Sequence, residues 1–300
     1  MAPEGPPPEL EARVGGLMRM RPVTWRRATG GYTMAERWVV GFADETTCFV
    51  KAGAGNVAMS LRTEYELVYA RMTAPFLPAL IAWDDNGESP ILVLEDLSAA
   101  QWPPPWNQRR VDAVLSGLDM LQNYRDVLTG LPSLAVSHDE ELRLNWHRIE
   151  EDPAAFLSLG LSSARWLASA LPSLQEASVV APLNGDALLH WDVRSDNLCF
   201  RGDQAVFIDW NHVRLGNRSA DVAAWLPSLH SEGGPLPEEV HDLSACWPAA
   251  IAGYFALRAG LPRIPEAPAA RTVQLSQLRS ALPWAQRALG LPPLDGPNAR

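Results

Sequence analysis

The stretch that decides the fold runs from residue 188 to residue 210 and reads Leu-Leu-His-Trp-Asp-Val-Arg-Ser-Asp-Asn-Leu-Cys-Phe-Arg-Gly-Asp-Gln-Ala-Val-Phe-Ile-Asp-Trp. Two short apolar runs, residues 198–200 and 205–208, are separated by four residues that include Gly202 and Asp203. Apolar runs joined by such a turn are typical of a tight β-hairpin. The stretch therefore predicts two paired strands with polar residues at both ends.

Acidic and amide side chains flank this hairpin in a fixed order. Asp192 and Asn197 precede it with four residues between them, and Asp209 follows it. Phosphoryl transfer needs a carboxylate that accepts the proton of the attacking hydroxyl, and oxygen ligands that hold Mg²⁺ on the phosphates. We therefore predict that the three side chains converge, with Asp192 as the general base and Asn197 and Asp209 as Mg²⁺ ligands. His190 is predicted to be a strut that packs and hydrogen-bonds within the loop. The alternative is a set of solvated turn residues, and the hairpin between them argues against it.

The pattern His190-x-Asp192-x-x-x-x-Asn197, followed by a hydrophobic strand and Asp209-Trp210, resembles the catalytic loop of the kinase superfamily. In detail it is similar to the branch of aminoglycoside phosphotransferases and choline kinases. The resemblance implies a two-lobed α+β protein-kinase-like fold, with a small N-terminal lobe of antiparallel sheet plus one helix and a larger, mostly helical C-terminal lobe. We place the lobes at residues 1–97 and 98–300. The resemblance also implies ATP and Mg²⁺ as cofactors and a hydroxyl of a small molecule as the acceptor.

Three strand-like runs at residues 23–28, 37–42 and 46–51 predict an antiparallel meander. Gly30 and Gly31 lie between the first two runs, where the resembled fold covers the nucleotide phosphates with a glycine loop, although a plain hairpin would use the same pair. Lys51 ends the third run. In the resembled family a lysine at this place binds the α- and β-phosphates and pairs with a helix glutamate. The alternative is an edge-strand lysine that discourages aggregation.

An amphipathic helix is predicted over residues 57–72, with an apolar face of Leu61, Tyr65, Val68, Tyr69 and Met72. Two glutamates flank that face. On a helical wheel Glu64 lies about 85° from the centre of the apolar stripe and Glu66 about 115°. Glu64 is therefore the better partner for Lys51.

The apolar run at residues 91–94 leads into Glu95-Asp96-Leu97. This resembles the segment between the two lobes, whose backbone at Glu95 and Leu97 would hydrogen-bond the adenine. The Pro-rich residues 101–106 mark a change of composition. Beyond them the pattern predicts helices over 111–121, over 139–171 with a break near Pro153, over 240–255 with a possible kink at Pro248, and over 269–289.

Three residues around the catalytic stretch need separate comment. Asp221 lies at a predicted helix start, where it can cap the helix, and the resembled family uses an Asp here to brace the catalytic loop. Trp191 stands where many family members have glycine, so its ring either narrows the site or packs beneath the loop. Arg194 lies two residues after the predicted base, and we hypothesise that it stabilises the charge of the transition state.

The acceptor class follows from a short segment. Only eleven residues, 210–220, separate Asp209 from Asp221, too few for the activation loop and peptide platform of a protein kinase. An aminoglycoside-like antibiotic is one acceptor, and a choline-like, amino-sugar or homoserine-like alcohol of metabolism is another. A catalytically silent ATP-binding relative is the third reading, and the presence of Lys51, Asp192, Asn197 and Asp209 argues against it.

Composition narrows the partners. The net charge of −10 argues against a nucleic-acid surface and suits a cationic acceptor. Glu232, Glu238, Glu239 and Asp242 are predicted either to form an acidic lip for such an acceptor or to be a solvated acidic loop. No apolar run reaches the length of a membrane span and no leader pattern begins the chain, so we expect a cytoplasmic monomer or weak homodimer with no membrane partner. The three cysteines are predicted to be buried free thiols.

Overall fold

The computed structural model describes residues 5–28, 35–124, 129–265 and 267–299. The strands are β1 (Pro22–Arg27), β2 (Glu36–Phe42), β3 (Thr47–Ala52), β4 (Leu80–Asp84), β5 (Ile91–Glu95), β6 (Ala187–Leu189), β7 (Leu198–Arg201), β8 (Gln204–Phe207) and β9 (Arg214–Gly216). The α-helices are α1 (Pro8–Met18), α2 (Asn56–Glu64), α3 (Gln108–Gln122), α4 (Leu134–Ser137), α5 (Asp139–Arg143), α6 (Asn145–Glu151), α7 (Ala154–Leu157), α8 (Ala164–Val179), α9 (Ser219–Ser231), α10 (Pro237–Val240), α11 (Cys246–Ala259) and α12 (Ala270–Ala288). Among these residues no helix is long and apolar enough to cross a membrane.

The chain divides into two compact units, each formed by two separate stretches. The first unit comprises Met1–Trp102 and Asp196–Val213, and the second comprises Pro103–Ser195 and Arg214–Arg300. The boundary between Trp102 and Pro103 therefore lies within the Pro-rich residues 101–106. The functional lobe boundary between residues 97 and 98 stays a prediction.

The first unit is built on a five-stranded sheet of order β1-β2-β3-β5-β4, in which every neighbouring pair is antiparallel. The predicted meander of the first three strands is confirmed. Alternate residues of these strands, such as Trp38 and Val50, are buried in a core with Leu10 and Val14 of α1. Because opposite residues of paired strands share one face of a sheet, this register defines a second face. We call it the Lys51 face; it consists of Arg37, Val39, Phe49, Lys51, Leu92 and Leu94.

The predicted helix over 57–72 is present as α2, which continues into a π-helical turn at Tyr65–Tyr69. In this turn Ala70 N–H donates to the carbonyl of Tyr65 at 2.8 Å, one residue further back than in an α-helix. Glu64, the last residue of α2, is buried. The helix therefore carries a carboxylate into the interior of the unit, as the helical wheel predicts.

The predicted hairpin is also confirmed. Strands β7 and β8 pair antiparallel around Gly202, whose φ of +59° lies in the left-handed region that glycine adopts at low cost. Residues Gln101 and Phe200 exchange two backbone hydrogen bonds of 3.1 and 2.8 Å, and Phe207 N–H donates to the carbonyl of Phe76 at 2.8 Å. These contacts attach the hairpin to the first stretch of the same unit.

The second unit is mainly helical, with a core formed by side chains of α6, α8, α9, α11 and α12, and a short antiparallel pair of β6 and β9. The predicted helices over 111–121, 139–171 and 269–289 are present as α3, α5 to α8 and α12, with the expected break at Pro153. The helix predicted over 240–255 is wrong in its first part. Residue Val240 ends α10, α11 begins only at Cys246, and Pro248 lies in its first turn, where a proline introduces no kink.

Candidate active site

A buried lysine with two carboxylates lies at the centre of the first unit. The Nζ of Lys51 is 2.8 Å from Glu64 Oε2 and 2.7 Å from Asp209 Oδ1. Burial disfavours the charged ammonium, but the two carboxylates outweigh it, and the pKa of Lys51 lies above its ordinary value. Lys51 is therefore a charged group held in one place on the Lys51 face.

Asp209 is positioned by its own backbone conformation and by the two residues that follow it. Its φ of +63° is left-handed, a conformation that aspartate tolerates better than most residues. The following residue, Trp210, is fully buried, and its N–H donates to Glu64 Oε1 at 3.2 Å. Asn211 Nδ2 donates to Asp209 Oδ1 at 2.5 Å. Glu64 therefore holds both Lys51 and the segment that carries Asp209.

Asn197 lies beside Asp209 at the same end of the hairpin. It ends a 3₁₀ turn at Ser195–Asn197, is buried, and its carbonyl accepts a 2.9 Å hydrogen bond from Ile208 N–H. Within the described ranges no cluster of three or more His, Cys, Asp or Glu side chains has the arrangement of a metal site. Mg²⁺ does not require one, because it is usually held by one or two protein oxygens together with phosphates and water. An amide and a carboxylate at one hairpin end fit this ion.

A second cation lies on the same face of the sheet as Lys51. Arg37 of β2 lies directly opposite Lys51 of β3 and is half-buried. Burial lowers the pKa of Arg37, while Asp209 and Glu64 act on it in the attractive sense. The sequence pattern did not single out Arg37. Its signal was the register of the β2–β3 hairpin, which can be counted from the turn at Asp44-Glu45.

The predicted catalytic loop of the second unit is held by a buried aspartate. Asp221 accepts hydrogen bonds of 2.8 Å from His190 N–H and of 2.8 Å from Trp191 N–H. The Nδ1 of His190 in turn accepts from Asp192 N–H at 3.2 Å. His190 is fully buried, so its ring acts on the loop and not on a solvent-exposed ligand. Asp221 has the contacts of a brace, and its carboxylate is turned to the loop instead of capping α9.

The surroundings of Asp221 contain residues that the sequence analysis missed. Burial raises the pKa of Asp221 to about 6, against the two backbone donors and the attraction of Arg214. Burial also lowers the pKa of Arg214 to about 10. The Nη1 of Arg214 is 2.8 Å from Ser137 Oγ and 2.7 Å from His138 Nδ1. The signal available in the sequence was an arginine between two apolar residues, Val213 and Leu215.

The residues next to Asp192 differ from the sequence expectation in one respect. Arg194 is paired with Asp192 itself, with its Nε 3.0 Å from Oδ1 and its Nη2 3.3 Å from Oδ2. Arg194 thus orients the predicted base in this structure, and its contact with a transferred phosphate stays a hypothesis. The ring of Trp191 packs against the helical core and lies edge-on to His138 at 6.0 Å. Of the two roles considered for Trp191, packing beside the loop has this support.

The predicted acidic lip is largely used for other contacts. Glu232, at the C-terminal end of α9, accepts from Ser195 Oγ at 2.5 Å and from Trp106 Nε1 at 2.8 Å. Glu238 pairs with Arg287, and Glu239 accepts from Leu236 N–H at the start of α10. Three of the four acids therefore have structural partners.

Of the remaining residues predicted to bind the nucleotide, the structure describes Glu95 and Leu97. The side chain of Glu95 accepts from Ala79 N–H at 3.1 Å and lies 3.2 Å from Arg201, so any contact with adenine would be made by backbone. Leu97 is half-buried, and its carbonyl accepts from Ala100 N–H at 3.0 Å. Gly30 and Gly31 lie outside the described residues.

Solved structures share this architecture over nearly the whole chain. A thermostable mutant of aminoglycoside phosphotransferase APH(4)-Ia, in ternary complex with AMP-PNP and hygromycin B, matches with a TM-score of 0.57 and 11% identity, covering 95% of this chain and 98% of that chain. Spectinomycin phosphotransferase APH(9)-Ia, in complex with ADP and spectinomycin, matches with a TM-score of 0.56 and 14% identity, covering 96% and 90%. The fold is that of the antibiotic phosphotransferases. Amicoumacin kinase hAmiN, in complex with AMP-PNP, Ca²⁺ and Ami, has the same phosphotransferase fold at a TM-score of 0.57, 11% identity and coverage of 90% and 92%.

The predicted α+β fold of the kinase type is thereby confirmed. By sequence alone, neither a family model nor a curated protein matches the chain. Within the phosphotransferase fold, the first unit brings together Lys51, Glu64 and Asp209, with Asn197 at the same hairpin end. The second unit brings His190, Asp192 and Arg194 onto the Asp221 brace. The convergence of Asp192 with Asn197 and Asp209 joins residues of the two units and stays a prediction.

Proposed function

We propose that the protein is an ATP- and Mg²⁺-dependent phosphotransferase that moves the γ-phosphate to a hydroxyl of a small molecule. The observation that carries this proposal is the buried Lys51, which hydrogen-bonds to Glu64 and to Asp209 at the end of the β7–β8 hairpin. A lysine that is kept charged on a sheet face, beside a carboxylate suited to Mg²⁺, is the charge arrangement that a nucleotide triphosphate requires.

On the nucleotide side, Lys51 would bind the phosphates while Glu64 holds it in position. The Lys51 face also presents half-buried Val39 and Phe49, an apolar surface suited to a nucleobase. The backbone at Glu95 and Leu97 would hydrogen-bond the adenine, and Gly30 and Gly31 would cover the phosphates. Asn197 and Asp209 would hold Mg²⁺, which neutralises charge on the phosphates and on the departing ADP.

On the acceptor side, the carboxylate of Asp192 would take the proton of the attacking hydroxyl. The hydroxyl oxygen then bonds to the γ-phosphorus, and the bond from that phosphorus to the β–γ bridging oxygen breaks, so that ADP leaves. His190 and Asp221 set the backbone of the loop, as their hydrogen bonds to residues 190–192 require. Arg194 holds the Asp192 carboxylate through an ion pair of Nε with Oδ1 at 3.0 Å and a hydrogen bond from Nη2 to Oδ2 at 3.3 Å, which helps to position the base.

The acceptor in this proposal is a hydroxyl-bearing antibiotic. Support comes from solved structures of similar fold, which contain hygromycin B, spectinomycin and Ami. The segment between Asp209 and Asp221 also fits a small acceptor, because it is taken up by a 3₁₀ turn, β9 and the start of α9. A cytoplasmic location belongs to the same proposal, since the reaction consumes ATP.

The test is transfer of label from γ-labelled ATP in the presence of Mg²⁺. The purified protein is incubated with a panel of aminoglycosides, other antibiotics, choline-like amines and sugar alcohols, and Asp192→Asn is assayed beside the wild type. We expect label on one acceptor class, with kcat lowered about 10²-fold or more in the variant because the proton acceptor is lost. Label on a metabolic alcohol and not on an antibiotic would change the acceptor class and leave the kinase assignment in place.

Two further measurements separate the alternatives. A wild type that labels nothing and does not bind Mg·ATP would identify a silent relative of the same fold and end the proposal. Binding of Mg·ATP that Asp209→Ala abolishes would instead retain the nucleotide site. Arg194→Ala tests the transition-state role of this arginine, which is abandoned if kcat with the true acceptor is unchanged.

A further inference from the structure

Arg37 occupies a position on the sheet that ordinary stability would not favour. It lies directly opposite Lys51 in the β2–β3 pair, so two cationic side chains share one face of the sheet. Like charges in directly opposite positions destabilise a strand pair. Arg37 is also half-buried, which adds a cost of desolvation. A cation that is retained under both penalties indicates an anion near it.

Within the first unit the anions facing this pair are Glu64 and Asp209, whose attraction acts on both Lys51 and Arg37. Two cations and two carboxylates balance. The proposed function, on which this inference rests, assigns the carboxylate of Asp209 to Mg²⁺. With Asp209 bound to Mg²⁺, the two carboxylates that attract Lys51 and Arg37 no longer balance the positive charge on this face, and the added positive charge suits a polyanion.

The two cations differ in chemistry. Lysine offers a compact ammonium, and the Lys51 ammonium already donates to two carboxylates. The planar guanidinium of arginine matches two oxygens of one phosphate and remains charged when partly buried. Arg37 also donates to the carbonyl of Ala35 at 3.4 Å, a long contact.

We propose that Arg37 is a second phosphate-binding residue of the nucleotide site, acting beside Lys51 on the polyphosphate. The competing interpretation is that Arg37 only balances the charge of Glu64 and Asp209 in the folded protein. The two interpretations predict different effects of an Arg37 substitution on ligand affinity. Only a phosphate-binding role makes the loss of affinity grow with the number of phosphates on the ligand.

The experiment measures the affinities of ATP, ADP, AMP and adenosine for the full chain by calorimetry, in the presence of Mg²⁺, for the wild type, Arg37→Met and Arg37→Lys. We expect Arg37→Met to lower the affinity for ATP by about 10-fold or more. The affinity for adenosine should change by less than about 2-fold, because in this proposal only the phosphates contact the guanidinium. Arg37→Lys keeps the charge without the fork, so its loss for ATP is expected to be smaller, about 3-fold.

The matched control is Arg27→Met. Arg27 belongs to the neighbouring strand β1 and lies opposite Trp38, on the other face of the same sheet. The Arg27→Met variant removes the same charge from the same sheet. Its affinity for ATP should stay within about 2-fold of that of the wild type, since exposed charges at a distance are screened by salt.

Each outcome decides the matter. Unchanged ATP affinity in Arg37→Met, or an equal loss for ATP and adenosine, would overturn the proposal, and the latter would leave Arg37 a structural role. If Arg37→Met does not fold, Arg37→Lys decides by the same comparison. A wild type that binds adenosine but gains nothing from the phosphates overturns the inference alone. A wild type that binds none of the four ligands removes the proposed function and this inference with it.

Discussion

Protonation of Asp221 has opposite effects on the stability of the protein and on the hydrogen bonds that hold the predicted catalytic loop. Burial raises its pKa to about 6 from 3.8, so the folded protein binds a proton more tightly than the unfolded chain. Its contribution to the free energy of unfolding is therefore full below about pH 4 and is lost as the pH rises through about 6. The ionised form, however, is the one that accepts hydrogen bonds from both His190 N–H and Trp191 N–H without competition from a proton.

The pH profile of the proposed phosphoryl transfer should report this group. We expect activity to rise with pH through about 6, as Asp221 ionises and fixes the loop. In Asp221→Asn one of the two accepting oxygens becomes an NH₂ donor, so the loop shifts and kcat falls by about 10²-fold. The rise near pH 6 should also be absent from the kcat profile of this variant. A variant that keeps the wild-type profile would assign the rise to another group.

How far single residues could be predicted depends on whether their partners are local in sequence. The pairing of Lys51 with Glu64 followed from one strand end and one helical wheel, and the 2.8 Å contact agrees with it. The pairing of Arg194 with Asp192 could not be predicted, because it depends on the rotamer of the Arg194 side chain, which leaves no pattern in the sequence. The approach of Arg214 to Asp221 depends on the pairing of β6 with β9, which brings residues 187–189 against residues 214–216.

At the scale of elements, the C-terminal end of α9 carries a carboxylate where the helix dipole disfavours one. Glu232 is nevertheless placed there, and it accepts from the hydroxyl of Ser195 and the indole N–H of Trp106. It therefore joins α9 to the predicted catalytic loop and to the Pro-rich segment. The two donors offset the unfavourable position in the helix field.

Removing this carboxylate should lower stability measurably. Glu232→Ala removes the carboxylate that accepts from two half-buried donors, and we expect the free energy of unfolding in urea to fall by about 1–3 kcal/mol. Glu232→Gln retains an accepting oxygen and should lose less. Glu238→Ala is the control, since it removes an exposed ion pair with Arg287 that is worth at most about 1 kcal/mol. Equal stability of Glu232→Ala and Glu238→Ala would contradict the role assigned to Glu232.

Elements with clear periodicity were predictable, and the others had physical reasons to be missed. Strands β1 to β3 and the hairpin have apolar runs bounded by turn residues. Strand β4 is an edge strand whose residues are exposed or half-buried, so it carries no alternating pattern. Helix α1 has Pro8 at its start and acidic residues in its first turn, signals that the surrounding prolines obscured. The apolar spacing of residues 240–255 continued through a non-helical segment, which periodicity alone cannot detect.

At the scale of the whole molecule, the division into two discontinuous units could not be read from local composition. The first unit includes Asp196–Val213, which lies far along the chain from the sheet. In that unit the fully buried Phe200, Phe207 and Trp210 all come from the second stretch. The unit is therefore complete only with the hairpin.

A truncation should show this. We expect a polypeptide of residues 1–102 to lack cooperative thermal unfolding, because it loses the hairpin and the contacts of Phe76 and Gln101 with it. A polypeptide in which residue 102 is joined by a short Gly/Ser linker to residues 196–213 should regain a cooperative transition, measured by near-UV circular dichroism. A sharp transition in the shorter polypeptide would show that the sheet and α2 are stable without the hairpin.

The same discontinuity affects the order in which contacts form during synthesis of the protein. Lys51 and Glu64 are 13 residues apart, so their pair can form soon after α2 leaves the ribosome, but Asp209 follows Lys51 by 158 residues. At about 5–20 residues per second, that interval is on the order of ten to thirty seconds of translation. During this interval Lys51 of the nascent sheet lacks Asp209, one of its two carboxylate partners. The helices of the second unit that are made in the same interval still lack the residues from 214 onward. Pausing of synthesis anywhere between the sheet and the hairpin therefore prolongs the life of an incomplete, aggregation-prone chain.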